Sequence, residues 1–189
     1  MSALERFQTR GGERGESVEF SPQKVEETLK KAYMVVRKLI TPETASRFLV
    51  KDGALVKEFP SKEIEEWAIK KQEEYGIPHE DQSGDKPLLY TSLLWIYKML
   101  EFFLHRTEEF SKPYIEMEFG LVGILEKIYG DVALWKLKEE EWYENLIEKY
   151  LTKIGRHLDK VVEEMYKQIT GKQKIWSIAV QGDLEEDAE

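Results

Sequence analysis

Residues 87–110, PLLYTSLLWIYKMLEFFLHRTEEF, form the most apolar stretch of the chain, and the way they wind decides what the rest must do. At about 100° per residue the polar positions Thr91, Lys98, Glu101, His105 and Glu108 gather on one narrow stripe, so a helix here is apolar around most of its girth. Such a helix needs neighbours on nearly every side. Lys98 and Glu101 break the run from Leu88 to Leu104, which argues against a membrane span, and no apolar signal-peptide core follows Met1. The stretch is therefore expected to be the centre of a soluble helical bundle.

The flanking sequence supplies the neighbours. FSPQKV (20–25) offers Ser21 as an N-cap, Pro22 in the first turn and Phe20 against Val25 as a staple, starting a helix that runs to about Ile40. TPETASRFL (41–49) repeats the signal with Thr41 and Pro42, and its short helix ends before KDGALV, where Gly53 marks a turn. PSKEIEEWAIKKQEEYG (60–76) reads as a helix capped by Ser61 and stopped by Gly76, followed by a polar loop to Pro87. KPYIEMEFGLVGILEKIYG (112–130) starts near Pro113 and ends at Gly130; Gly120 and Gly123, on adjacent turns, suit a close helix crossing. Asp131 is expected to cap a short segment, and a long helix is predicted from about Glu139 to Thr170, with Gly171 beyond its end. Only Lys174–Val180 resembles a strand. The expected fold is all-α: a single-domain bundle of five or six main helices over residues 20–171, with a central, nearly all-apolar helix at 88–104. A flexible arm at 1–19 and an apolar segment plus acidic tail at 172–189 flank it.

The totals narrow the function classes. The 189 residues contain no cysteine, which excludes disulfides, thiolate metal sites and cysteine nucleophiles and points to a cytoplasmic protein. Charged residues make up 34%, Glu and Lys dominate, and Asn145 is the single asparagine, a balance that leans towards a thermophile. A formal charge of −9 disfavours non-specific binding to nucleic acid or anionic lipid, so no membrane partner is expected.

Candidate chemistry is sparse. His105 has Glu101, Glu108 and Glu109 within one turn, but a helical di-metal site wants two Glu-x-x-His motifs and the chain has none. It reads as part of a solvated polar stripe. His157, beside Arg156, reads as helix surface or helix packing, and His79 sits in an acidic loop without the register of a calcium site. No nucleophile elbow or phosphate loop is present, so catalysis is disfavoured and neither metal nor cofactor is expected. Trp67 and Trp95 occupy apolar faces and read as core; the competing idea is a carrier whose 88–104 helix lines a pocket for an apolar ligand.

Two surfaces stand out. On the last helix Lys149, Lys153, Arg156, Lys160 and Lys167 fall within about 60° of one another, and Trp142 points the same way. Tyr150, Ile154, Leu158, Val161 and Met165 centre on the opposite side, which leaves a basic outer ridge. Its cations span roughly 27 Å and suit backbone phosphates, an acidic protein partner, or the chain's own acidic tail. Glu163 and Glu164 flank it, and the helix macrodipole alone favours cations there. The arm TRGGERGESVE alternates its arginines with glutamates and reads as a free tail rather than a nucleic-acid arm. Ile175, Trp176, Ile178 and Val180, after a helix stop, form either a docking segment for another protein or a flap over the chain's own bundle.

The leading expectation is a non-enzymatic interaction subunit of a larger intracellular complex, with other protein subunits as partners and room for a second copy of the chain. The alternatives are a small helical subunit of an RNA-guided type of nucleic-acid complex, touching the strand through the ridge, and the apolar-ligand carrier.

Overall fold

Ser21 sits in extended backbone, and its Oγ accepts from the Lys24 N–H at 3.2 Å, with Pro22 opening helix α1, Pro22–Leu39. Thr41 does the same for Thr44 at 3.2 Å, with Pro42 opening helix α2, Pro42–Leu49. Both caps satisfy amides that no helical carbonyl reaches, which is why these two starts were readable locally. The computed structural model describes residues 21–79, 86–107 and 112–171. The N-terminal arm through residue 20 and the segment 172–189, with its strand-like Lys174–Val180, lie outside the described residues.

After α2 comes a hairpin that was not expected. Strands β1, Val50–Lys51, and β2, Ala54–Leu55, pair antiparallel, Val50 with Leu55 and Lys51 with Ala54. Asp52 and Gly53 have φ of 54° and 78°, the two positive values that a tight two-residue hairpin loop demands. Two residues per strand are too few for an alternation pattern.

Helix α3, Ser61–Glu74, corrects the capping assignment. Pro60 is its N-cap and no side chain caps it; the Ser61 hydroxyl instead lies 2.6 Å from the Tyr90 hydroxyl on the next helix. Gly76, with φ 69°, terminates the helix as expected.

Helix α4 spans Leu88–His105 and stops at Arg106, which takes a left-handed φ of 60°. It packs against α1, α2 and α3, and against α5 (Lys112–Tyr129) and α7 (Glu141–Thr170). Leu93, Ile96 and Leu100 are fully buried, whereas Phe102 to Leu104 near its end are half-buried. Thr91, assigned to the polar stripe, is buried: its hydroxyl donates to the Leu88 carbonyl at 2.9 Å, and Ser92 does so at 2.8 Å. Back-bonding of this kind lets a hydroxyl enter an apolar interface. Glu108 and Glu109 lie outside the described residues.

The α4–α5 crossing is close because residue 120 is glycine. A Cβ there would stand 2.8 Å from Thr91 Oγ1 and 3.2 Å from Leu88 Cα. Helix α6, Asp131–Leu137, includes Asp131 rather than following it, and Gly130 at φ 85° is its N-cap. Helix α7 is one unbroken rod of 30 residues, beginning two residues later than predicted, and Gly171 at φ 71° ends it. The described residues thus form an all-α bundle of seven helices, five of them of 14 residues or more, with α2 and α6 shorter at 8 and 7 residues. None of them is long and apolar enough to cross a membrane.

Candidate functional site

The basic ridge is built on α7. Its opposite side is buried: Tyr150, Ile154, Leu158, Val161 and Met165 all pack into the core. Lys149 is exposed, but its Nζ lies 2.7 Å from Glu26 Oε2 on α1. Lys153 Nζ stands 5.6 Å over the Tyr33 ring, again on α1. Arg156 and Lys160 are half-buried and each is engaged within the fold, while Lys167 is exposed. Trp142 is half-buried against the core cluster. The cations do line one side of the rod, yet the first two are drawn towards α1.

Glu26 accepts twice, from Lys149 and from the Tyr150 hydroxyl at 2.8 Å. These bonds, the Lys149 bond foremost, hold the Glu26 carboxyl below its ordinary range. Tyr150 is pushed up to about 12, by burial first and by the Glu26 bond second. At neutral pH an ionised Glu26 therefore sits between two donors, which turns a surface cation into a helix–helix tie.

The other candidates resolve differently. His157 Nε2 donates to the Ile40 carbonyl at 2.7 Å, tying α7 to the end of α1, so this histidine is a packing group. His105 is exposed, and no cluster of three or more histidine, aspartate or glutamate side chains exists among the described residues. Trp95 donates to Asp159 Oδ1 at 3.3 Å, and Trp67 packs edge-on to Phe48 at 5.2 Å; both stand at the rim of the core. Ile175, Trp176, Ile178 and Val180 lie outside the described residues.

A feature missed in the sequence lies on the other flank of α7. Tyr114, Glu118, Phe119 and Val122 of α5 face Tyr143, Glu144, Ile147, Glu148 and Leu151 of α7 across a half-open groove of about 470 Å³, with Lys138 at one end. Phe119 is 50% exposed, as is Ile115 one turn before it. Trp135 is 72% exposed and carries Lys138 Nζ at 6.0 Å over its ring, which places the indole beside the groove. The Tyr143 ring is buried, and its hydroxyl has no hydrogen-bond partner among the described residues. Burial first, then Glu118 and Glu126, push this phenol well above its ordinary range, and burial with Glu118 and Glu148 raises Tyr114. Both phenols are therefore neutral donors. A sequence signal existed: α5 carries Ile115 and Phe119 in addition to Met117, Leu121, Ile124 and Leu125, more apolar residues than one buried side accommodates.

The chain matches no protein-family model, no curated protein and no solved structure.

Proposed function

We propose that this protein is a non-enzymatic helical interaction subunit of a larger intracellular assembly, and that it docks through the α5 flank of the bundle. The observation carrying this is the exposure of Phe119 on the groove wall, with exposed Ile115 one turn before it on α5 and exposed Trp135 next to Lys138 at the groove's end. Clustered large apolar side chains at a surface mark contact sites, since each one buried against a partner contributes about 1.5–3 kcal/mol. The complete burial of Leu93, Ile96 and Leu100 favours this reading over a carrier with its ligand inside the bundle.

A photo-crosslinking side chain placed at position 135, in full-length protein expressed in its native cell, should give a discrete adduct, identified by mass spectrometry, that the same group at exposed Lys70 does not. Equal adducts at the two positions would remove the docking flank. A second reading, contact with a nucleic-acid strand, draws support from the unbroken α7, which aligns Lys153, Arg156, Lys160 and Lys167 on one side.

A further inference from the structure

We propose that the groove between α5 and α7 seats a basic amphipathic helix of a partner protein. The inference rests on the α5 flank being a docking surface and adds the chemistry of what docks. Two independent features specify it.

The first is form. Two helices make the walls and Phe119, Val122, Ile147 and Leu151 supply apolar surface between them, a trough into which side chains spaced i, i+3, i+4 and i+7 on a third helix can fit. The second is charge. Glu118 stands on one wall, and Glu144 and Glu148, one turn apart, stand on the other. Among the described residues none of the three is held in an ion pair, and Lys138 is the one cation lining the groove. Lysines or arginines flanking the partner's apolar stripe would meet these carboxylates, and the chain's net charge of −9 would steer such a helix inward. The same carboxylates oppose the chain's own acidic tail, Asp183 to Glu189.

The test uses the full-length chain and three fluorescein-labelled synthetic peptides at 0.15 M salt. One is a helix-forming Leu/Lys peptide with leucines at i, i+3, i+4 and i+7; the second has every lysine replaced by glutamate; the third has the composition of the first in an order that scatters the leucines. By anisotropy the first should bind at least about tenfold more tightly than the others, and Glu144→Lys with Glu148→Lys should weaken it by about tenfold or more at unchanged melting temperature. Hydrogen exchange should slow at residues 114–122 and 143–151 when the first peptide binds. Equal binding of the acidic and basic peptides, lost in Phe119→Asp, overturns the charge assignment and leaves the docking flank standing. Protection by the basic peptide anywhere else, or equal binding of the scattered peptide, overturns the groove. The crosslink at position 135 judges the docking flank separately.

Discussion

One added methyl group separates two glycines of this bundle. At Gly120 a Cβ would press on Thr91 Oγ1 at 2.8 Å and on Leu88 backbone at 3.2 Å, and neither neighbour is a flexible chain end. At Gly155, inside α7, a Cβ would meet Trp95 ring carbons at 3.7 Å, an ordinary contact. Alanine gains up to about 1 kcal/mol over glycine in a helix interior, whereas overpacking costs about 1–3 kcal/mol. Urea denaturation should therefore find Gly120→Ala destabilised by roughly 1 kcal/mol or more and Gly155→Ala stabilised by roughly 0.5–1 kcal/mol. Opposite signs are the essential result; two losses would mean that α7 packs on Trp95 more tightly than the geometry indicates. The Glu26 tie carries a pH signature. Its folded carboxyl titrates below the ordinary 4.5, so its contribution is full above that pH and is lost as pH falls through the lower folded value. Because Lys149 is half exposed, the tie is worth only about 0.2–1 kcal/mol. Glu26→Gln should show that loss in urea titrations at pH 7, and the gap to wild type should close in acid.

Elements differ in how much of their making is local. The starts of α1 and α2 were readable because Ser21, Thr41 and the prolines after them act within three residues. The start of α4 at Leu88 was placed by its apolar run, but its cap was not. Pro87 gives it no side-chain cap, and the Leu89 N–H is taken by Gln72 Oε1 at 2.9 Å, from the α3 helix. Gln72 itself is buried and looked in sequence like one more polar residue of α3. Gln72→Ala should cost about 1–3 kcal/mol, since it leaves a buried amide without its acceptor, and should raise hydrogen exchange first at Leu89. Retention of full stability with slow exchange at that amide would remove the cap. Ser61 failed as a cap for the same reason in reverse: Tyr90, 29 residues on, holds its hydroxyl. The α7 rod and its basic side followed from 100° spacing alone. That Lys149 is tied to Glu26 spans 123 residues and has no local trace, so the ridge was legible as a pattern while its free charge was not. The groove escaped for a third reason, because exposure of Phe119 depends on which neighbours α5 lacks.

At the scale of the whole molecule, the interaction and nucleic-acid readings part on electrostatics that can be counted. With Lys149 held by Glu26, the ridge gives a strand at most Lys153, Arg156, Lys160 and Lys167, of which Arg156 and Lys160 are already engaged within the fold, against a net charge of −9 and with Glu163 and Glu164 beside them. Four phosphate contacts to a single strand imply a slope of log K against log salt of about −3, so contacts of this kind weaken roughly 60-fold between 0.05 and 0.2 M salt. A weak, purely electrostatic complex does not survive that in an acidic protein. Fluorescein-labelled single-stranded RNA should accordingly show no anisotropy change with the wild-type chain at 0.15 M salt. Binding that persists there, follows the four-contact slope and disappears in Lys153→Glu with Arg156→Glu would assign the ridge to nucleic acid and displace the docking flank as the main surface. Binding that survives the double substitution would put the strand elsewhere, because those two residues occupy the middle of the ridge and reversing them changes its charge by four units. The acid-walled groove predicts the absence of a signal, since a surface lined by Glu118, Glu144 and Glu148 on the same helix pair selects against a polyanion as it selects for a basic helix.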